Sequence, residues 1–120
     1  MKRVLVVLII ISLAVSVSIL AQSYAEGYIA GQEDGREECD GSDHFVRGLI
    51  GGIIYIGFAV VDPPNSPPNS RLSDMADVSS DYQEGYIAGY EKEWRSCRLT
   101  NAVFGAASWI FFYLILAAIS

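Results

Sequence analysis

Residues 24–39 read YAEGYIAGQEDGREEC, and residues 82–97 read YQEGYIAGYEKEWRSC. The offset is 58 throughout: Tyr24 pairs with Tyr82, Gly27 with Gly85, Tyr28 with Tyr86, Gly31 with Gly89 and Cys39 with Cys97. Each copy is followed within a few residues by an apolar run, at 45–61 and at 102–119. Self-similarity at a fixed offset marks one structural unit used twice. The unit here is a polar helix leading into a hydrophobic helix.

On a wheel of about 100° per residue, Tyr24, Gly27, Tyr28, Gly31, Gly35 and Cys39 share about 120° of arc. Tyr82, Gly85, Tyr86, Gly89 and Cys97 share the same arc, with Glu93 in place of Gly35. Glu26, Glu33 and Glu37 point the opposite way. A glycine inside a helix is unfavourable by roughly 1 kcal/mol relative to alanine. Two or three on one face therefore imply close approach of another helix, the small-xxx-small device. These faces are expected to pack on each other, on the hydrophobic helices or on a second copy of the chain. Gly48 and Gly52 in the first apolar run offer a similar surface.

The chain is 52% apolar, above the roughly 45–50% of a soluble domain. The excess sits in three blocks, Val4–Ala21, Phe45–Val61 and Ala102–Ile119. Each is near the lower end of the ~17–25 residues that cross a bilayer as a helix. Met1-Lys2-Arg3, the apolar run and Ala21-Gln22 have the form of a secretory signal or a retained anchor. Either places residue 24 onward outside the cytoplasm. The expected fold is all-α, a small helical membrane protein with two repeats of polar helix plus hydrophobic helix after that N-terminal segment. Its parts are a signal or anchor at 1–21, repeat 1 at 22–61 (polar 23–39, hydrophobic 45–61), a linker at 62–81, and repeat 2 at 82–120 (polar 82–98, hydrophobic 102–119). The linker carries PPNSPPNS, which favours extended or turn structure. Ser79, Ser80 and Asp81 supply an N-cap for the second polar helix.

The net charge of −6 and the absence of a basic stripe argue against nucleic acid as a partner. The expected partners are the lipid bilayer and either the chain itself or a larger membrane complex. The stretch Glu33, Asp34, Glu37, Glu38, Asp40, Asp43 lacks the spacing of a calcium loop and reads as a solvated acidic face. His44, the one histidine, reads as an interfacial side chain without a ligand. No motif of a hydrolase, metalloprotease, redox pair or phosphate loop is present. No enzymatic activity, cofactor or metal is expected.

Topology is open between two arrangements. Arg71, Lys92, Arg95 and Arg98 lie between the second and third blocks, so the positive-inside rule puts that stretch in the cytoplasm. Block two then spans, the repeats are inverted, and Cys39 and Cys97 sit on opposite sides. The rival has block two re-entrant or interfacial, with both polar helices on one side and a Cys39–Cys97 disulfide within reach. The cation count favours the first.

Ala21-Gln22, Tyr24/Gly27/Tyr28, Pro63-Pro64 and Tyr82/Gly85/Tyr86 occur in an order that resembles a group of small bacterial envelope proteins. The resemblance covers most of the chain and rests on a short motif. It implies a bacterial inner-membrane location with an exported N-terminal segment, and it carries no activity, substrate or catalytic residue. The function expected is structural or accessory, with assembly through the Gly/Tyr helix faces. The alternative is an oligomeric channel or small transporter subunit built on inverted repeats.

Overall fold

The computed structural model describes residues 2–120, without the side chains of Lys2 and residues 17–22. The Ala21-Gln22 side chains thus lie outside the described part. The described chain is all-helical: α1 is Lys2–Glu38, α2 Gly41–Val61, α3 Asn69–Asp74 and α4 Ser80–Ile119. By length and composition, α2 and α4 are apolar enough to cross a membrane. The sequence segments 1–21 and 23–39 merge into α1, and 82–98 and 102–119 into α4, since no helix-breaking residue separates either pair.

The two repeats lie side by side and parallel. A Cβ on Gly27 would overlap the carbonyl oxygen of Tyr82, and one on Gly85 that of Tyr24. Gly31 meets Tyr86 and Gly89 meets Tyr28 in the same reciprocal way. Both pairs obey the offset of 58 (24 + 58 = 82, 27 + 58 = 85), so a pseudo-twofold axis runs along the helix pair. Backbone meets backbone here because neither helix carries a side chain on the contact line.

α1 ends at Glu38, and Asp40 restarts the chain as the N-cap of α2, accepting from the amides of Ser42 (3.1 Å) and Asp43 (3.3 Å). Such a cap satisfies donors that a helix start leaves open. Past this break Gly48 lies against Ala102, and Gly105 against Phe45. The reciprocal pairing therefore continues at an offset of 57 (45 + 57 = 102, 48 + 57 = 105).

α2 does not run straight. Gly52 has φ 53° and ψ −136°, a backbone region essentially closed to residues with a Cβ. There the chain reverses into a hairpin of two arms, 41–51 and 53–61. The reversal brings the Tyr55 hydroxyl to 2.8 Å from His44 Nδ1. It also returns Asp62 to the level of the cysteine pair, where its carbonyl accepts from Arg98 at 2.6 Å.

Two expectations are corrected. The repeats are parallel, not inverted, and Cys39 is joined to Cys97 in a disulfide. Gly52 is not a packing surface, since nothing lies within 4 Å of a Cβ built there; it makes the turn. Of the cations that suggested inversion, Arg98 is buried, Arg71 is half-buried, and Lys92 and Arg95 are exposed. Arg71 pairs with Asp34 and Glu38, Arg98 binds the Asp62 and Pro63 carbonyls, and Lys92 sits over the Tyr28 ring.

Candidate functional site

The helix-packing residues read from the sequence come together within one chain. Gly27, Gly31, Gly35, Gly85 and Gly89 are all buried between α1 and α4, and Gly48 is buried between α2 and α4. Cys39 and Cys97 close the polar half at the pseudo-twofold axis, with Cα atoms 6.5 Å apart. The tyrosines do not share one environment. Tyr86 is 3% exposed and Tyr24 42%, while Tyr28 and Tyr82 are half-buried.

The difference comes from the linker, which folds back along the helix pair as a strap. Arg71, in α3, pairs through Nη1 with Asp34 and through Nη2 with Glu38, one turn apart on α1. The same carboxylates accept from α4: Tyr86 donates to Asp34 and Tyr90 to Glu38, both at 2.5 Å. Ser66 donates to Glu91 at 3.1 Å, and Gln83 Nε2 donates to the Met75 carbonyl at 2.7 Å. One guanidinium thus bridges two carboxylates, one nitrogen to each, and through them two phenols; the bonds are charge-assisted.

The electrostatics follow from these contacts. The Tyr86 hydroxyl, helped by Arg71, holds the Asp34 carboxyl below the ordinary carboxylate range. Burial, with the Asp34 carboxylate adding to it, pushes Tyr86 up to about 12. Burial and Glu38 do the same to Tyr90, also to about 12. Arg71 is held more firmly protonated by its Tyr86 and Asp34 partners.

Below the strap, at the root of the hairpin, a half-open cleft of about 340 Å³ lies between α1, α2 and α4. Glu38, His44, Tyr55, Asp62, Trp94 and Arg98 are among its walls. His44 is buried (7% exposed) with its ring edge-on to Trp94, centroids 5.4 Å apart. Among the described residues, Trp94 Nε1 and Arg98 Nε are buried and find no hydrogen-bond partner. Among the described residues no three His, Cys, Asp or Glu side chains gather as a metal site. The cleft has the polar groups to hold a small polar molecule, the hydrogen-bonded His44–Tyr55 pair among them.

Sequence reasoning missed Asp34, Glu38, Arg71, Tyr90 and Trp94. Asp34 and Glu38 were indistinguishable from the acids that do face solvent. A usable signal was present: carboxylates at i and i+4 and one arginine in an otherwise cation-free linker. No protein-family model, curated protein or solved structure matches the chain.

Proposed function

We propose that this is a small membrane protein with a structural or accessory role, whose disulfide-clamped helix pair stands outside the cytoplasm. The observation that carries this reading is the Cys39–Cys97 bond between parallel repeats. Disulfides form and persist in oxidising compartments, and both cysteines belong to the polar half. In this reading 102–119 of α4, about 27 Å at 1.5 Å per residue, crosses a hydrocarbon core of about 30 Å. The hairpin enters the same core from outside and turns back. Its first arm, about 16 Å long, reaches halfway, and Ile50 and Ile53 at its tip are 83% and 77% exposed. Residues Ile110–Leu114 of α4 are exposed on every side, which suits lipid better than water.

The Gly/Tyr faces are consumed within the chain, so association with another protein would use the outer surface of the rod. The inverted repeat behind the channel or transporter alternative is absent from the fold. The test is labelling of single-cysteine variants, retaining Cys39 or Cys97, with an impermeant maleimide in intact cells. Reaction at both positions is the expected result. Protection of either until lysis would reject the arrangement.

A further inference from the structure

The two ends of the molecule pose a geometric problem that the fold alone does not solve. The rod is 89 Å long. The apolar first half of α1 leaves one end and the hairpin with α4 leaves the other. Between them lies about 22 Å of polar helix, residues 24–38 at 1.5 Å each. It carries Glu26, Glu33, Asp34, Glu37 and Glu38. With α1 an unbroken helix, one bilayer cannot hold both apolar ends.

The packing stops where this problem begins. Every described side chain from Arg3 to Ser16 is exposed, although Val4–Ile11 is wholly aliphatic. From Ser23 onward the helix is engaged. Ser23 Oγ is 2.7 Å from the Oγ of Ser79, the N-cap of α4, and the Tyr24 carbonyl seats Gly85. The symmetry gives the same boundary: α4 begins at Ser80, whose equivalent at an offset of 58 is Gln22 (80 − 58 = 22). Repeat 1 is complete without anything before Gln22.

We infer that the chain is processed at the Ala21–Gln22 peptide bond, so that the working protein begins at Gln22. The agent is an endopeptidase on the outer side of the membrane; of the two small positions in an A-x-A-like site, Ala21 fills the one before the cut and Ile19 stands at the other. The step is hydrolysis: water adds across the amide, leaving a carboxylate on Ala21 and an amine on Gln22. Removing Lys2 and Arg3 leaves six Lys and Arg (8 − 2) against fourteen acids. The remaining rod has one apolar end.

This inference rests on the membrane reading above, and the two fail differently. The full chain is expressed, membranes are washed with alkaline carbonate, and the intact mass of the retained protein is measured. A chain beginning at Gln22 is expected. One that keeps Met1–Ala21, or that has lost Ser23 and more, overturns the inference. Protein released into the carbonate wash sinks the membrane reading, whatever its N-terminus. As a second arm, Ala21→Leu should accumulate the uncut chain while Cys39 and Cys97 still pair on a non-reducing gel. Unchanged processing in that variant also overturns the assignment of the bond.

Discussion

The two repeats begin alike and end differently. Repeat 2 continues from its cysteine through Arg98 and Leu99 as the unbroken α4. Repeat 1 breaks at Cys39-Asp40, restarts on the Asp40 cap, and reverses at Gly52. At the offset of 57, Gly51 and Gly52 stand opposite Ser108 and Trp109 (51 + 57 = 108, 52 + 57 = 109). A bare glycine opposite a tryptophan thus separates a hairpin from a straight helix. The glycine admits a backbone conformation that the tryptophan's Cβ forbids. The flanks diverge too. The position equivalent to Asp34 is Lys92 (34 + 58 = 92), and the one equivalent to Tyr86 is Tyr28 (86 − 58 = 28). Arg71 therefore docks on the face that offers carboxylates, and Lys92 sits over the Tyr28 ring. Near-identical backbones have been given opposite charges on their two sides, and the linker reads that difference.

The largest expected effect breaks the tie between the repeats. Cys39→Ser opens a cross-link over 58 residues and should lower stability by about 4 kcal/mol on the chain-entropy account. Denaturant unfolding in detergent, with the reduced parent as control, measures it; a reduced parent as stable as the oxidised one would contradict the estimate. Next come the contact glycines. Gly31→Leu and Gly89→Leu each drive a side chain into the opposing backbone, so each should cost at least the ~1–3 kcal/mol of core overpacking. Because the contacts are reciprocal, the two losses should be similar. A large loss in one alone would show that the pseudosymmetry is not energetic.

Gly52→Ala tests the divergence instead. The conformation there should make it worse by about 1–3 kcal/mol, while Gly57→Ala, with open space and ordinary φ, should be neutral or slightly stabilising. Equal thermal midpoints for the pair would argue against the reversal. Arg71→Ala should release the strap and bring the Asp34 carboxyl back toward its ordinary range. The sign is set by the depressed native value: Asp34 stabilises the fold above its unfolded pKa, and that contribution is lost as pH falls through the lower native one. The parent should therefore lose stability on the acid side where Arg71→Ala loses less. The smallest effect is spectroscopic. Tyr86 and Tyr90 should ionise near 12, above the ordinary tyrosine value of about 10, and stability should fall between pH 10 and 12 as the unfolded chain releases those protons first. Absorbance titration in the ultraviolet reads both.

Much of the local structure was legible in the residues. The repeat, the glycine face, the three apolar blocks and the Ser79 cap each follow from spacing and residue type, because helix periodicity and capping act over three or four positions. Direction was not legible. A small-residue face packs equally well on a parallel or an antiparallel partner, so the wheel that located the Gly27/Gly31 contact could not orient it. Counting cations misled because Arg71, Lys92 and Arg98 are engaged by partners distant in sequence. The sequence by itself therefore determined the helices and the faces they present. The disulfide, the hairpin and the strap were decided by tertiary structure alone. Each requires residues from 11 to 58 positions apart to meet, and no local propensity records which of those meetings closes.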